Sequence, residues 1–374
     1  MTTVSETKLT VPFVDFKQRY ALYRNEILPA VDEVFSSGNY ILGSYVEELE
    51  KTLSEYLNCP YVLCINDGTT ALILALKVLN IGAGDEVIVP VNSFVASAGS
   101  VVAVGAKPVF CDVSDDLNID VEQIQKHITS RTKAIMPVHL TGRPANMKEI
   151  MLIAQKNNLA VIEDAAQSIG AKYNNQFTGT IGDIGCFSLH PLKNLYAYGD
   201  AGIITTKNKA HYEQLKLLRN HGLVDRDTCA QWGMNARIDS LQAKLVSIGL
   251  MHLPEWTEKR RKNAVLYQAV LKNHVHVPFD TQEQFSVYHN FVIQTEKRDQ
   301  LAQFLREEGI DTRVHYPIPL HLQPAARNLN YNLGDFPNAE RLAKEMMSLP
   351  IYPELSAEAI EYVIVKTQEF FNGI

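Results

Sequence analysis

The first sixty residues carry apolar side chains at helical spacing. Ile27, Val31, Val34 and Phe35 fall at positions i, i+4, i+7 and i+8, the spacing of one face of an amphipathic helix. Residues 46–57 repeat the spacing. The pattern therefore predicts two amphipathic helices at the start of the chain.

From residue 61 onward, short apolar runs alternate with helical stretches. Such alternation predicts an α/β fold with a mainly parallel sheet that is covered by helices on both faces. The stretch 69–79 is almost entirely apolar, so we expect a buried helix there. The predicted strands lie at residues 61–65, 86–90, 108–112, 133–138, 160–162 and 203–205.

The last third of the chain has a different pattern. Helical spacing extends over residues 239–272, with an interruption expected near Pro254, and shorter mixed elements follow. A chain of 374 residues is long enough for two domains. We predict a large cofactor-binding α/β domain over residues 1–254 and a small α+β domain over residues 255–374.

Composition and charge exclude several classes of protein. The net charge of −7 argues against non-specific nucleic-acid binding, which needs a basic face. No apolar run has the length of a membrane span, and the N-terminus lacks the pattern of a signal peptide, so we expect a soluble, cytoplasmic protein. The five cysteines show no C-x-x-C spacing, which favours buried free thiols and no metal site.

One lysine stands between two predicted strands. An apolar run ends at Ser188, Lys193 follows, and a turn at residues 198–202 precedes the next apolar run. Lysines are usually solvated, and a desolvated amine has a lowered pKa and becomes nucleophilic. The setting suits a lysine that forms a covalent bond to a carbonyl. A surface lysine in a loop is an equal alternative from this stretch alone.

A carboxylate pair follows the strand at residues 160–162. Glu163 and Asp164 come directly after it, and open α/β sheets place ligands at the carboxyl ends of their strands. An acid there and an amine on the next segment suit pyridoxal 5'-phosphate (PLP), because the acid keeps the pyridine nitrogen protonated and the lysine holds the aldehyde.

Four motifs resemble one family of enzymes. They are Asn-Asp-Gly-Thr-Thr-Ala-Leu at 66–72, Glu-Asp-Ala-Ala-Gln at 163–167, Ser-Leu-His-Pro-Leu-Lys-Asn-Leu at 188–195, and the segment 233–243. In this order the chain resembles the DegT/DnrJ/EryC1/StrS sugar aminotransferases. The resemblance implies the fold of a fold-type I PLP-dependent aminotransferase, with a smaller C-terminal domain.

The motif at 66–72 predicts an anion site. Gly68 permits close approach of the backbone, and Thr69 and Thr70 open a helix whose free N–H groups favour an anion. An ordinary glycine turn is the alternative. The resemblance implies that this turn and Ser188 bind the PLP phosphate.

The resemblance also assigns the groups around the cofactor ring. It implies that Phe94 stacks on the ring, although a core phenylalanine fits the local sequence better. Asp164 would bind the pyridinium, and Gln167 would lie near the 3' oxygen. Asp183 and Asp200 are alternative acids, but both lie in glycine turns, where Asp is common for local reasons.

Lys193 would hold PLP and, once released, carry the transferred proton. Relatives with histidine at this position catalyse dehydration, so lysine indicates transamination, with pyridoxamine 5'-phosphate (PMP) as the half-reaction form. In the family, the asparagine at Asn235 reaches the phosphate of the other subunit. This implies a homodimer with shared active sites. A turn-forming asparagine and an Arg237–Asp239 salt bridge are the alternatives.

The proline-rich segment 312–324 resembles that of 3-aminotransferases acting on dTDP-3-keto-6-deoxyhexoses. We predict transfer from L-glutamate to C3 of such a sugar, the alternative being C4 of a dTDP-, UDP- or GDP-4-keto-6-deoxysugar. His190 fits a structural role and a substrate contact equally. The candidate substrate contacts are His190, Arg219, His315, Tyr316 and His321.

Two rival functions have weaker support. Gly82-Ala83-Gly84 hints at a dinucleotide loop, but it follows a helix and precedes a strand, the reverse of the order that a nicotinamide site needs. A non-catalytic scaffold would have no use for Lys193, Asp164 and Asn235 together.

Overall fold

The structure is a computed structural model that describes residues 9–373. Residues 1–8, where no targeting segment is expected, and residue 374 lie outside this range. The helices are α1 (Phe16–Ser37), α2 (Ser44–Leu57), α3 (Gly68–Val78), α4 (Val95–Ala103), α5 (Val121–Ile124), α6 (Met147–Asn157), α7 (Lys209–Arg219), α8 (Ser240–Leu271), α9 (Arg298–Glu307), α10 (Pro337–Glu345) and α11 (Ala357–Asn372). The strands are β1 (Tyr61–Ile65), β2 (Glu86–Pro90), β3 (Lys107–Cys111), β4 (Thr132–Ile135), β5 (Ala160–Asp164), β6 (Lys172–Tyr173), β7 (Gln176–Phe177), β8 (Ile184–Ser188), β9 (Gly202–Thr206), β10 (Gln284–Phe285), β11 (Phe291–Gln294) and β12 (Met346–Leu349).

A seven-stranded sheet forms the centre of the fold, in the order β1-β9-β8-β5-β4-β2-β3. The pairs from β3 across to β8 are parallel, whereas β9 runs antiparallel to both β8 and β1. The predicted mainly parallel α/β sheet is confirmed. Because β8 and β9 are antiparallel neighbours, the segment that joins them returns at the carboxyl edge of the sheet. That segment carries Lys193.

Helices cover both faces of this sheet, as the residues of single strands show. Val87 and Val89 of β2 belong to the core beneath α3 and α4, whereas Ile88 belongs to the core beneath α6. Successive residues of a strand point to opposite faces. Because both faces are buried, the strands are continuous apolar runs in the sequence.

The C-terminal part packs around a two-stranded antiparallel sheet of β11 and β12. Its core contains Tyr267 of α8 and Phe291 of β11, whose ring centroids are 5.0 Å apart. The helix α8 therefore contributes to the cores of both parts of the chain.

The predicted interruption near Pro254 is wrong, because α8 runs without a break from Ser240 to Leu271. Proline removes one helical hydrogen bond, but Leu250, Leu253 and Trp256 are buried around it, and this packing offsets the loss. The proposed domain boundary at residue 254 falls within this helix, and the division into two domains remains a prediction.

Three expectations about composition can be compared with the described residues. Four cysteines are buried, but Cys229 is exposed, so the expectation of buried thiols fails there. Between residues 9 and 373, no helix is long and apolar enough to span a bilayer. In the same range, no cluster of histidine, cysteine and acidic side chains has a metal-binding arrangement.

Strand β8 tolerates no side chain at Gly185. A Cβ there would lie 1.9 Å from the carbonyl oxygen of Gly179, far inside van der Waals contact. We therefore expect Gly185→Ala to lower the free energy of unfolding by about 3 kcal/mol, since the loop around Gly179 has to move. Urea-induced unfolding of the purified variant measures this loss.

Gly99→Ala is the matched control. Gly99 lies in α4, its φ angle is not positive, and nothing lies within 4 Å of a Cβ built on it. Alanine in a helix is more stable than glycine, so we expect a gain of about 0.5–1 kcal/mol. Equal urea midpoints for the two variants would contradict the close approach of Gly185 and Gly179.

Candidate active site

A cavity of about 370 Å³ opens at the carboxyl ends of β5 and β8, beside the start of α3. This volume lies in the range of small-molecule sites. The location is that of ligands in open α/β folds. Of the residues predicted from the sequence, the cavity is lined by Gly68, Thr69, Phe94, Asp164, Gln167, Ser188, His190, Lys193, His315 and Tyr316, and by the alternative acid Asp200.

Lys193 lies on the turn that follows β8. Its backbone N–H donates to the carbonyl of His190 at 2.8 Å, and its side chain lines the cavity. Burial lowers the pKa of Lys193 to about 8, and the charge of Asp164 opposes this change. Near neutral pH more of this amine is therefore unprotonated and nucleophilic than in an ordinary lysine. The alternative of a surface lysine does not fit this position.

Asp164 ends β5 and is 5% exposed. Its Oδ2 accepts a hydrogen bond from Ser97 Oγ at 2.7 Å, and its Oδ1 accepts one from the backbone N–H of Ala166 at 3.2 Å. Burial raises the pKa of Asp164, whereas these two hydrogen bonds and the charge of Lys193 lower it; the net change is upward. The carboxylate keeps lone pairs available towards the cavity.

Ser97 is a residue that the sequence reasoning missed. Its hydroxyl lies 2.6 Å from that of Ser93, and the two serines hold Asp164 in place. Their spacing of i, i+4 at the start of a helix was available in the sequence, because residues at this spacing share one face.

Glu163 faces away from the cavity, as alternation along a strand requires. It is fully buried and accepts hydrogen bonds from the backbone N–H groups of Gly179, Ile181 and Gly182, each at 2.7 Å. His139 Nε2 lies 2.9 Å from it. Glu163 therefore anchors the loop at residues 179–182, while Asp164 serves the cavity.

The start of α3 and the end of β8 approach each other closely. A Cβ on Gly68 would lie 2.8 Å from Ser188 Cβ, so only glycine fits. The first N–H groups of α3, at Gly68 and Thr69, have no partner within the helix, and Ser188 lines the cavity beside them. This donor set fits an anion such as a phosphate.

Thr70 is not part of this anion seat. Its backbone N–H and its hydroxyl both donate to the carboxylate of Asp67, each at 2.8 Å, because Asp67 caps the helix. The structure thus places Thr70 outside the cavity lining, contrary to the expectation from the motif.

Aromatic rings form another wall. Phe94 is 54% exposed, which does not fit a core residue, and its ring lies 5.9 Å from that of Tyr316. The hydroxyl of Tyr316 accepts from Gln167 Nε2 at 3.2 Å, and Gln167 Oε1 accepts from the backbone N–H of Thr141 at 2.7 Å. The wall offers a flat apolar surface next to polar groups of fixed direction.

Three histidines line the cavity. His190 is exposed, and its Nδ1 accepts from the backbone N–H of Leu192 at 3.3 Å. His315 Nδ1 lies 2.8 Å from Ser348 Oγ, and burial lowers the pKa of His315 to about 4. His289 was not predicted. Its partner Asn194 is 95 positions away in the chain, so no local pattern marks it.

Two predicted substrate contacts lie elsewhere. Arg219 donates to Glu50 Oε1 at 2.5 Å and to the carbonyl of Cys64 at 2.8 Å. His321 is 4% exposed and lies 2.9 Å from Glu340 Oε1. Neither side chain lines the cavity, and both are already bound to acidic side chains. The expectation that they contact substrate is not supported.

Asn235 is exposed and lies outside the cavity of its own chain. Its Oδ1 accepts from Arg237 Nε at 3.1 Å, and Arg237 also donates to Asn220 Oδ1 at 3.1 Å. The suggested Arg237–Asp239 salt bridge is absent from the described part of the chain. A contact of Asn235 with a second subunit remains a prediction.

The sequence profile of the DegT/DnrJ/EryC1/StrS aminotransferase family matches residues 22–368. The chain is 42% identical to the "pleiotropic regulatory protein" of Geobacillus stearothermophilus, covering 97% of this chain and 99% of that protein. It is 41% identical to dTDP-3-amino-3,6-dideoxy-alpha-D-galactopyranose transaminase of Aneurinibacillus thermoaerophilus, covering 95% and 98%. It is 40% identical to UDP-N-acetyl-3-dehydro-alpha-D-glucosamine 3-aminotransferase of Acidithiobacillus ferrooxidans, covering 97% and 98%.

Solved structures show the same fold. The crystal structure of DesV from S. venezuelae superposes with a TM-score of 0.96 at 37% identity, covering 98% of this chain and 99% of that one. NtdA from Bacillus subtilis, solved with bound cofactor PMP, superposes with a TM-score of 0.90 at 32% identity, covering 97% and 85%.

Proposed function

Because this chain belongs to the DegT/DnrJ/EryC1/StrS aminotransferase family, and is thus a PLP-dependent aminotransferase of nucleotide sugars, we propose that it aminates C3 of a dTDP-3-keto-6-deoxyhexose with L-glutamate as donor. The observation that carries the proposal is the shared cavity of the Lys193 amine, the Asp164 carboxylate and the anion seat of α3. Relatives named for C3 amination of dTDP and UDP sugars support the position of attack.

The cavity fits PLP group by group. Gly68, Thr69 and Ser188 offer donors for the phosphate, and the missing Cβ of Gly68 lets Ser188 lie close to the start of α3. Phe94 provides a face for the ring, and Asp164 provides a buried acid for its nitrogen. Lys193 is the amine that would hold the aldehyde.

When bound, PLP supplies an electron sink for removal of the Cα proton. The chain's own residues set the charge around the cofactor and move the proton. Asp164, fixed by Ser97, keeps a negative charge at the ring nitrogen. Lys193, whose pKa is lowered to about 8, takes up and returns the proton as base and acid. Gln167 and Tyr316, which are joined by a hydrogen bond, present polar groups to the cavity.

The charges of the cavity support a homodimer with shared sites. Among the described residues that line it, Lys193 is the only lysine or arginine. A cofactor phosphate, the two carboxylates of L-glutamate and a nucleotide diphosphate require more positive or polar groups than one chain provides. The exposed Asn235 and the neighbouring Trp232, which is 92% exposed, are available to a second copy.

Incubation of the enzyme with each ketosugar tests the substrate. We expect 2-oxoglutarate to form from L-glutamate with the dTDP-3-ketosugar, and NMR of the product to show nitrogen at C3. Reactions without L-glutamate serve as blanks. Nitrogen at C4, from the dTDP-4-ketosugar, would contradict the proposed position. No 2-oxoglutarate from either sugar would contradict the substrate class.

Mixed dimers test the shared site. Lys193→Ala subunits lack the amine, and Asn235→Ala subunits lack the group predicted to reach the partner's site. After denaturation and joint refolding at equal amounts, the Asn235→Ala subunit provides Lys193 and receives an intact Asn235 from its partner. We expect recovery of about a quarter of wild-type activity from random pairing. Mixtures that stay as inactive as their parents would argue that each chain works alone.

A further inference from the structure

His289 lies in the cavity wall with a fixed tautomer. Asn194, the residue after Lys193, donates from Nδ2 to the carbonyl of Val287 at 3.0 Å. Its Oδ1 therefore faces His289 Nδ1 at 3.2 Å, and an oxygen there requires a hydrogen on Nδ1. The lone pair of the imidazole is then on Nε2. No hydrogen bond reaches this atom from the described residues.

Hydrogen bonds fix the backbone of His289 as well as its ring. Arg260, which is 3% exposed, donates from Nη1 to the carbonyls of Tyr288 at 3.1 Å, His289 at 3.3 Å and Ile351 at 3.4 Å. Tyr288 has a φ of 44°, a conformation that is costly for a bulky side chain. A buried arginine on α8 thus stabilises a strained turn that aims the imidazole.

The charges around His289 keep it neutral. Burial lowers the pKa of His289 well below its ordinary value, and the positive charge of Lys193 is the next cause. Arg260, His315 and His190 act in the same direction. Near neutral pH the ring is thus an acceptor at Nε2, and it lines the same cavity as the lysine amine. The Nζ atom of Lys193 also has no hydrogen-bond partner between residues 9 and 373.

We propose that His289 is a positioning residue for amino transfer, whose Nε2 accepts a hydrogen bond from the Lys193 amine when that amine is free of the cofactor and protonated. The inference rests on the proposed role of Lys193. The contact would stabilise the ammonium form against burial and hold its remaining hydrogens in a fixed direction. Lys193 could then return its proton to one position without a search among rotamers.

The PMP form of the full enzyme tests this contact, because Lys193 is free in it. Competitive isotopic acetylation across pH, read by mass spectrometry of the Lys193 peptide, gives the pH at which the amine loses its proton. The midpoint of the wild type is the reference value. In His289→Phe it should fall by about one pH unit, since the ammonium loses a hydrogen-bond acceptor. His289→Gln, which keeps an acceptor oxygen, should restore most of the difference.

Single-turnover reaction of the PMP form with ketosugar is the second readout. His289→Phe should slow it about tenfold, and His289→Gln should be closer to wild type. His276→Phe is the matched control, because His276 is exposed and outside the cavity. Circular dichroism and thermal midpoints confirm that each variant folds.

The two proposals fail in different ways. If Lys193→Ala is inactive but the Lys193 midpoint is the same in His289→Phe and wild type, the inference about His289 is wrong and the role of Lys193 stands. A raised KM for the ketosugar with kcat and midpoint unchanged would also overturn it, since His289 would then bind a sugar hydroxyl.

Discussion

Lys193→Ala should lose amino transfer by about 10³-fold or more. The substitution removes the amine that holds the cofactor aldehyde and carries the proton, and no other lysine or arginine of the described chain lines the cavity. Water can take neither role at a comparable rate. Alanine leaves the turn intact, because the backbone N–H of residue 193 still donates to His190. Steady-state turnover with L-glutamate and ketosugar measures the loss.

Covalent mapping identifies the amine directly. After borohydride reduction of the wild-type holoenzyme, the cofactor should remain attached to the peptide that contains Lys193, and the tag should be absent from Lys193→Ala. Lys207→Ala is the matched control. Lys207 is exposed and follows β9, so its loss should change neither tag nor turnover. A tag on another peptide, or full turnover in Lys193→Ala, would require a different nucleophile.

The positions of the lysine and the acid at the cavity could be predicted from local rules, whereas their roles were implied by the family resemblance. Alternating apolar runs indicate a parallel sheet, and polar residues directly after buried strands lie at its carboxyl edge. Asp164 and Lys193 both follow such runs. Alternation along a strand also separates Glu163 from Asp164, and the structure shows these neighbours on opposite sides of β5.

Contacts between distant residues could not be predicted in this way. Arg219 and His321 look like substrate contacts in sequence, but Glu50 and Glu340 bind them in the structure. The local sequence around Arg219 or His321 does not indicate which acidic residue will bind it. His289 was missed for the same reason, since its place in the site depends on Asn194 and Arg260. Local sequence identifies which residues carry chemistry; packing decides which of them share a cavity.

The interruption expected at Pro254 failed for a related reason. The rule that proline ends a helix describes the local cost of a lost hydrogen bond. In α8 that cost is offset by residues buried on either side of Pro254, among them Leu253 and Trp256. Packing against α1 and α2 is not visible in the local pattern of residues 239–272.

Asp164→Asn should lower turnover by about 10²- to 10³-fold, the usual effect of removing one buried electrostatic group from a site. Asparagine has nearly the same shape and still accepts one of the two hydrogen bonds from Ser97 and Ala166. What it lacks is the negative charge that keeps the ring nitrogen protonated. The charge of Asp164 also raises the pKa of Lys193, so in the PMP form of this variant Lys193 should lose its proton at a lower pH than in the wild type.

Asp183→Asn is the control for the loss of a carboxylate outside the cavity. Asp183 is exposed and accepts from the backbone N–H of Val161 at 2.8 Å, a role that an amide oxygen can keep. It does not line the cavity, so turnover should stay within about twofold of wild type, as for most surface substitutions. If Asp183→Asn lost activity and Asp164→Asn kept it, the ring nitrogen would have another partner. We expect activity to fall only when the carboxylate at the end of β5 is replaced. Asp164 is buried, is bound by Ser97 and lines the same cavity as Lys193, whereas Asp183 has none of these properties.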